Sequence, residues 1–509
     1  MATNGILVTR NRPLNGQPII ADAAWRVEAT VFRSVLAACV LIGAAAVVHY
    51  WRAGLVLSHY DARAHLTVAR RVFDSLTPGW RQLGGVWLPL PHVIDLPLVA
   101  STWAYRTGIP AVAASVLALS VGLAALARWI VRETGSVVAA LAAPALILGN
   151  PNVLYLQSTP MTEPLLLGLS CVALLAVDEW IRFPASRRAA WAGPALGALL
   201  LVRYEGWFVG AALGAVAVVA RRRDGLAAVM RLLGWPVVAV LAFLSLSWAS
   251  TGHFLVTSGF YVADNPARHQ PLAALSDMAR VTTALTGPVV VACALAGAAI
   301  CLMRARRLST ALLPLSLAAA GCLPLGAFDA GHPMRVRYMV PLVAAAGVLT
   351  AIAVASVAGS RGRLRALVAT VVVLVTFAMR PPFDARAPVV VEAQRDVPLQ
   401  LARQPVTAYL ARAYDGTPIL ASMEALGHYM QEMSAIGLPL RVFLHEGNGD
   451  LWLDALSGPR RHVGWILIES RTDGRDGLAD QVARDPAFLD GFEQVAAGGD
   501  VVLYKRMQR

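Results

Sequence analysis

The fold is decided by residues 34–65, SVLAACVLIGAAAVVHYWRAGLVLSHYDARAH, in which a long apolar run is followed directly by polar and charged residues. A helix needs about 20 apolar residues to cross the hydrocarbon core of a bilayer, which is roughly 30 Å thick. Such runs recur along the chain, which is 57% hydrophobic and only 15% charged over 509 residues. The sequence therefore predicts a polytopic α-helical membrane protein and excludes a soluble enzyme, a disordered protein and a single-span receptor.

The placement of arginine sets the direction of each span. The formal net charge is +13, and in membrane proteins an excess of arginine and lysine collects in cytoplasmic loops. Nearly every arginine cluster falls inside if residues 1–33 are cytoplasmic and the Pro-rich stretch 88–105 stays on the outer side as an embedded, broken segment. About eleven spans follow from this rule, at 34–56, 110–131, 136–155, 161–181, 190–202, 207–220, 232–249, 282–303, 309–327, 339–358 and 365–380. These arginines are dispersed and lack interleaved aromatic residues, so they do not indicate nucleic-acid binding.

The tail from residue 383 to 509 differs in composition, being polar and charge-balanced, and this topology leaves it outside the membrane. Its apolar runs are Ile419–Leu420, Arg441–Leu444, Trp465–Ile468 and Val501–Leu503, and its helical patterns cover 397–413, 423–435 and 477–492. Such alternation predicts a small extracytoplasmic α/β domain. We therefore expect a transmembrane domain at 34–382 of a multi-pass protein of the inner or plasma membrane.

Ionisable residues collect at the outer ends of the spans. Charges near a membrane segment are costly and are functional candidates, so chemistry is expected on the extracytoplasmic face. The candidates are Asp61, His65, His92, Glu163, Arg203, Glu205, Arg268, His269, Arg335 and Arg337.

Two carboxylates stand out because each starts a predicted helix at the outer face. Asp61 precedes a helical stretch, Ala62–Leu76, predicted to lie on the membrane surface, and Glu163 opens the fourth span. A helix cap for Asp61 or a helix-start charge for Glu163 is the simpler alternative. As a pair, the two could deprotonate or orient an acceptor hydroxyl.

Three arginines lie on the face that the positive-inside bias disfavours. Arg203 occupies a tight turn, and Arg335 and Arg337 lie in one outer loop. Arginine binds phosphate through two parallel hydrogen bonds, so these residues indicate an anionic ligand. The alternatives are an Arg203–Glu205 ion pair and, for the other two, side chains that extend to the interface. Further candidates, Arg268 and His269, belong to the outer loop 250–280, which would be a lid or a solvated loop.

The order of these motifs resembles the GT-C superfamily of polytopic glycosyltransferases that use lipid-phosphate sugars. Within it, the branch of the protein O-mannosyltransferases and the aminoarabinose transferase of lipid A is the most similar. The resemblance covers residues 30–380 and is carried by YDARAH at 60–65, the Pro-rich stretch 88–105, TEP at 162–164, RYEG at 203–206 and RY at 337–338.

The resemblance implies inverting transfer of a sugar from a polyprenyl-phosphate donor to a hydroxyl of a glycan, lipid or protein. Asp61 matches the family's catalytic base, Glu163 its second-loop acid, and Arg203 the basic residue that holds the lipid phosphate, here together with Arg335 and Arg337. The residues left as donor or acceptor contacts are His65, His92, Tyr204, Glu205, Arg268, His269 and Tyr338. Many relatives have two adjacent acids in the first loop, but Ala62 follows Asp61. A divalent metal thus stays possible without a clear site.

Two other classes remain open from the sequence. A transporter or lipid flippase would also be polytopic, but it would usually show paired repeats and polar residues near the midplane. A non-catalytic envelope protein could use the tail to bind carbohydrate.

Overall fold

The protein is described by a computed structural model that covers residues 18–256, 265–357, 362–469 and 476–508. Residues 1–17 of the predicted N-terminal segment and part of the predicted outer loop lie outside these ranges. The helices up to residue 379 are α1 (Pro18–Arg52), α2 (Tyr60–Arg70), α3 (Leu90–Leu98), α4 (Thr102–Thr107), α5 (Ile109–Thr134), α6 (Val137–Leu148), α7 (Pro151–Leu156), α8 (Glu163–Arg182), α9 (Ala192–Leu200), α10 (Glu205–Ala220), α11 (Leu226–Thr251), α12 (Pro271–Thr286), α13 (Pro288–Ala305), α14 (Cys322–Asp329), α15 (Val340–Ala355) and α16 (Gly362–Met379). Among them lie 3₁₀ helices at Trp80–Leu83, Ala189–Trp191, Ser309–Gly321 and Val336–Met339.

The chain is an integral membrane protein whose apolar helices match the predicted spans. Within the described ranges, eight helical segments are long and apolar enough to cross a membrane: Trp25–Arg52, Ile109–Thr134, Glu163–Arg182, Leu226–Thr251, Pro288–Ala305, Ser309–Asp329, Val336–Ala355 and Gly362–Met379. The other three predicted spans correspond to shorter apolar helices, Val137–Leu148, Ala189–Leu200 and Glu205–Ala220. The polytopic fold predicted from the sequence is therefore confirmed.

The predicted first outer loop, residues 57–109, is helical but broken. The Pro-rich stretch forms α3 and α4, which Val99–Ser101 separates, so it makes no continuous span. Helix α2 ends at Arg70 rather than at Leu76, where the sequence suggested. The turn is held by side chains, since Arg70 pairs with Asp74 at 3.1 Å and its guanidinium donates to the carbonyl of Val99 at 2.7 Å.

The C-terminal domain contains the predicted α/β arrangement. Its helices are α17 (Pro388–Ala393), α18 (Val397–Ala402), α19 (Gln404–Ala413), α20 (Met423–Met433), α21 (Asp450–Ser457) and α22 (Gly477–Arg484), and its strands are β1 (Ile419–Ala421), β2 (Phe443–Leu444), β3 (Trp465–Glu469), β4 (Phe492–Gly498) and β5 (Val501–Arg506). The sheet order is β2-β1-β3-β5-β4. Strands β2, β1 and β3 pair in parallel, and β5 pairs antiparallel with β3 and β4.

Three details of the tail differ from the sequence reading. The helix predicted over 477–492 ends at Arg484, and Phe492 begins β4 after Gly491 turns the chain with a φ of 79°. The helical pattern 397–413 is split into α18 and α19, because Pro405 starts a new helix. The run Arg441–Leu444 supplies only two strand residues, since a 3₁₀ turn at Leu440–Val442 precedes β2.

The membrane part and the C-terminal domain share their hydrophobic cores. Ala387, Val389, Val390 and Ala393, from around α17, pack into the core of the membrane helices. Conversely, Leu66 and Ala69 of α2 belong to the hydrophobic core beneath the sheet of the C-terminal domain. The predicted boundary at 383 therefore marks a change of composition and not a break in packing.

Helices α5 and α8 approach each other most closely where both carry glycine. A β-carbon on Gly122 would overlap the backbone of Gly168, and one on Gly168 would overlap the backbone of Ala118. Small residues allow membrane helices to pack backbone against backbone. This contact fixes α8 against α5 in the middle of the bundle.

An ion cluster joins the N-terminal part of α1 to the C-terminal ends of α5 and α8. Arg132 donates to Glu28 at 2.6 Å and to Glu179 at 2.9 Å, and it lies 3.5 Å from Asp178. Asp178 is fully buried and also pairs with Arg182 at 2.6 Å. The two ends of α8 thus carry Glu163 and Asp178, which a rise of 1.5 Å per residue places about 22 Å apart.

Replacing Arg132 by leucine is expected to destabilise the bundle by about 1–3 kcal/mol, because Glu28, Asp178 and Glu179 each lose one guanidinium partner and keep only Arg128 or Arg182. The measurement is the midpoint of thermal unfolding in detergent. Arg188→Gln is the matched control, since Arg188 is 49% exposed and lies 3.9 Å from Glu179. Equal midpoints for the two variants would contradict the structural role of the cluster.

Candidate active site

Asp61 lies in the first turn of α2, directly outside the first span. The helix starts here because the N–H of Asp61 donates to Nδ1 of His59 at 3.1 Å, which makes His59 the N-cap. The alternative of Asp61 as the capping residue is therefore wrong. The Asp61 side chain, only 11% exposed, instead forms an ion pair with Arg337.

Arg337 brings the two predicted carboxylates together. It belongs to the 3₁₀ turn that opens the span continuing into α15, and its Nε lies 3.9 Å from Oε1 of Glu163. Glu163, the first residue of α8, is fully buried. Its Oε2 has no hydrogen-bond partner among the described residues. Three segments distant in sequence thus meet at one end of the bundle.

Arg203 is held by carboxylates on both sides. It follows α9, and its NH1 donates to Glu163 at 3.0 Å and to the hydroxyl of Thr162 at 2.9 Å. Its Nε and NH2 donate to Glu205, the first residue of α10, at 3.2 and 2.7 Å. The Arg203–Glu205 pair considered from the sequence therefore exists, and it uses the donors that would otherwise face a phosphate.

Two residues of this cluster were missed by the sequence reading, His59 and Glu392. Glu392, on α17, accepts from the N–H of Val336 at 2.8 Å and lies 3.9 Å from Nε2 of His59. That nitrogen is also 3.4 Å from NH1 of Arg337. A lone acid in the apolar run VVVEA was the available signal for Glu392, but only the fold gives it a partner.

The cluster holds more carboxylates than guanidinium groups. Four acids, Asp61, Glu163, Glu205 and Glu392, surround Arg203 and Arg337.

Arg335, which the sequence placed with the phosphate-binding arginines, is in a different position. It precedes the 3₁₀ turn and is partly exposed, and no ion pair of its guanidinium occurs among the residues described here. It lies close enough to Tyr60 to act on the pKa of that phenol. Arg335 is thus a positive charge near Tyr60, the residue before Asp61.

Of the remaining residues predicted to contact donor or acceptor, Tyr338, His65 and His92 lie close to the cluster of carboxylates and arginines. The Tyr338 ring lies 5.9 Å from the Arg203 guanidinium and 5.4 Å from that of Arg337, within the range of cation–π contacts. His65 is one turn beyond Asp61 on α2, and its Nδ1 is 3.0 Å from Nε2 of His92 on α3.

Tyr204 and the outer loop face elsewhere. The Tyr204 ring packs against Trp207 and Phe243, with centroids 5.5 and 6.1 Å apart. Arg268 and His269 are exposed, and the N–H of His269 donates to the carbonyl of Asp329 at 2.7 Å. In the described part of the chain, neither residue contacts the carboxylates, so the structure does not bring them into the cluster.

Charges and burial set the protonation of the site. Burial alone would raise the pKa of Asp61, but the charge and the hydrogen bond of Arg337 outweigh it and hold that pKa below its ordinary value. The carboxylate is therefore ionised at neutral pH. Burial and then His92 lower the pKa of His65 well below its usual range, and burial with Arg71 lowers the pKa of His92 to about 3. Both imidazoles are therefore neutral.

The described residues include no group of three or more His, Cys, Asp or Glu side chains placed to hold a metal ion. The metal that the sequence left open is therefore not assigned to any residues.

The helical bundle, the broken first loop and the small sheet domain form an ArnT-like fold, so the resemblance seen in the sequence is confirmed at the level of the fold alone. The chain is similar to ArnT from Cupriavidus metallidurans bound to undecaprenyl phosphate, with 15% identity and a TM-score of 0.55 over 91% of this chain and 97% of that one. The chain is also similar to ArnT from the same organism in the apo state, with 14% identity and a TM-score of 0.55 over 95% of this chain and 98% of that one.

A third solved structure, the oligosaccharyltransferase of Archaeoglobus fulgidus in complex with Zn and sulfate, is 13% identical, with a TM-score of 0.46 over 86% of this chain and 68% of that one. No protein-family model matches the sequence. No curated protein matches it either.

Replacing Arg337 by glutamine is expected to lower the free energy of unfolding by about 3–5 kcal/mol at pH 7, because a buried carboxylate loses its counter-charge. Without Arg337, burial raises the pKa of Asp61, so the folded variant gains a proton on acidification and recovers stability. The wild-type pKa stays below the ordinary one, so this group gives the wild type no such gain between pH 7 and 5. The gap between the two unfolding midpoints should therefore shrink at pH 5.

Arg337→Lys is the charge-preserving control, and it should show a smaller gap at pH 7. A gap for Arg337→Gln that is the same at both pH values would contradict the control of Asp61 by Arg337.

Proposed function

We propose that the chain is a membrane glycosyltransferase that moves a sugar from a polyprenyl-phosphate donor to an acceptor hydroxyl on the extracytoplasmic face. The observation that carries this proposal is the buried ion pair of Asp61 and Arg337, with Glu163 beside it, at one end of an ArnT-like bundle. The similar ArnT structure contains undecaprenyl phosphate, which supports a polyprenyl-phosphate lipid as the partner.

In this proposal Asp61 is the general base. Its carboxylate takes the proton of the acceptor hydroxyl while the hydroxyl oxygen bonds to the anomeric carbon. The bond from that carbon to the phosphate oxygen breaks on the opposite face, and its electron pair leaves with the polyprenyl phosphate, so the configuration inverts. General-base assistance of this kind contributes about 10²–10⁴-fold to the rate. Glu163, whose Oε2 is free among the described groups, would orient the acceptor.

The ion pair of Asp61 and Arg337 would couple the base to the leaving group. A carboxylate held by a guanidinium is a weak base, because its charge is already compensated. As the lipid phosphate gains negative charge, Arg337 interacts with it more strongly and with Asp61 less, so Asp61 binds the acceptor proton more readily. Charge stabilisation of this type is often the largest single contribution to catalysis.

The three arginines would then have different roles. Arg335, which has no ion pair among the described residues, and Arg337 would bind the phosphate. Arg203 would hold Glu163 and Glu205 in place, because most of its donors are engaged by Thr162, Glu163 and Glu205.

The central test is Asp61→Asn in purified protein, given a labelled polyprenyl-phosphate sugar and envelope acceptors. The amide keeps the shape but cannot take a proton, so product formation should fall by about 10²–10⁴-fold. Asp277→Asn, an exposed carboxylate paired with Arg280 on α12, is the control and should match the wild type. Substantial turnover by Asp61→Asn would exclude Asp61 as the base. Lipid movement by the wild type without a glycosylated product would indicate a flippase instead.

The roles of the arginines can be separated kinetically. Arg335→Gln should raise KM for the donor roughly tenfold with a smaller change in kcat, as expected for one lost charge-assisted contact with the phosphate. Arg203→Gln should mainly lower kcat, because it releases Glu163 and Glu205. If Arg203→Gln raised KM for the donor and Arg335→Gln did not, Arg203 and not Arg335 would be the phosphate ligand.

A further inference from the structure

Arg63 lies two residues after Asp61 on α2, and its side chain is directed into the C-terminal domain. It is 5% exposed. Its NH1 forms an ion pair with Glu432 on α20 and lies 3.6 Å from Asp396. Its NH2 donates to Oε1 of Gln400 at 3.0 Å. All these partners come from residues 396–432, so one residue of the first outer loop is tied to the tail of the chain.

The partners of Arg63 are themselves fixed by a second buried arginine. Arg403 is fully buried, and its NH2 donates to Asp396 at 2.9 Å and to Glu432 at 3.0 Å. Its guanidinium lies 5.1 Å from the Tyr429 ring. Glu432 therefore bridges Arg63 and Arg403. Removing one member of such a buried pair is costly, since the other charge is left uncompensated, so this cluster has one well-defined arrangement.

Helix α2 depends on these contacts for its position. It has 11 residues, and helices shorter than about 12–15 residues are marginal without tertiary packing. Leu66 and Ala69 lie in the same hydrophobic cluster as the side chains of α20. The hydroxyl of Thr67 donates to the carbonyl of Gly427 at 2.9 Å. The C-terminal domain therefore helps to fix the position of α2, together with α3 and the membrane helices.

We propose, on the basis of the glycosyltransferase function proposed above, that Arg63 is a positioning residue for Asp61 and that the C-terminal domain is a structural part of the catalytic site. Asp61 is on a helix held by the C-terminal domain, whereas Glu163 and Arg337 are on spans of the membrane bundle. The distance from the base to its partners therefore depends on how the two parts dock. A displacement of about 1 Å can cost about 10²-fold in rate.

The test is Arg63→Gln in the full-length protein, compared with the wild type for transfer kinetics and for hydrogen exchange. We expect kcat to fall by about 10–100-fold with KM for the donor within about twofold, because the base moves and the phosphate-binding arginines do not. The amides of α2 should exchange faster, and those of α8 and α15 should not. Arg63→Lys keeps the charge and should restore part of kcat.

The matched control is Arg441→Gln. Arg441 also joins the C-terminal domain to the first outer loop, through Asp74 at 3.3 Å, but it is 66% exposed. Exposed pairs contribute little, so this variant should keep the kcat and the exchange pattern of the wild type. If Arg63→Gln does not fold, Arg63→Lys and Gln400→Ala provide the test, since each weakens one contact of the cluster and should lower kcat by a smaller factor.

The outcomes separate the two proposals. An active wild type together with wild-type kcat in the folded Arg63 and Gln400 variants would overturn the positioning role and leave the proposed function standing. A loss of kcat without faster exchange in α2 would overturn it as well. No transfer by the wild type would overturn the proposed function and, with it, the inference that rests on it.

Discussion

The ion pair between Asp61 and Arg337 is the contact on which the arrangement at this end of the bundle depends. Both side chains are nearly buried, with 11% and 7% exposure, and charges out of water are tolerated only where partners compensate them. The compensation comes from Glu163 at the start of α8 and from His59 and Glu392. Glu163, His59 and Arg337 are placed by a helix start or by a turn beside a span, whereas Glu392 comes from α17, so the site is built where the spans meet the C-terminal domain.

Charge organises both ends of the bundle, but in different ways. At the end of α8 that carries Asp178, arginines and acids neutralise one another across α1, α5 and α8. The sequence reading explained those arginines by cytoplasmic anchoring alone, because the pattern of one chain does not show which acids they meet. At the Glu163 end, acids outnumber the paired arginines and leave Arg335 available. One end is therefore a network of mutually neutralising charges, whereas the other is the end to which we assign the proposed chemistry.

Much of the fold was predictable because the bilayer constrains it. Apolar runs of a fixed length and the bias of arginine to one side determine which residues share a face, so Asp61, Glu163, Arg203 and Arg337 were assigned to the same end without any tertiary information. The similarity of the fold to that of ArnT was predictable from the order of the loop motifs.

What could not be predicted depends on packing between distant segments. Glu392 and the partners of Arg63 lie in the tail, whose docking follows from hydrophobic surfaces that have no sequence signature. Strand β4, FEQVAAG, was missed because its apolar residues do not alternate and its exposed face resembles that of a helix. The occupied donors of Arg203 were also hidden, since a turn sequence gives the order of charges but not their hydrogen bonds.

The glycine contact between α5 and α8 links the packing of the membrane helices to the position of Glu163. Gly168 is five residues from Glu163, a distance of about 7.5 Å along the helix axis, and a single methyl group at either glycine would separate the two backbones. Such a change would push α8 away from α5 and would tilt the end of α8 that carries Glu163. Tolerance to substitution at these glycines is therefore limited by the alignment of the buried Glu163 carboxylate.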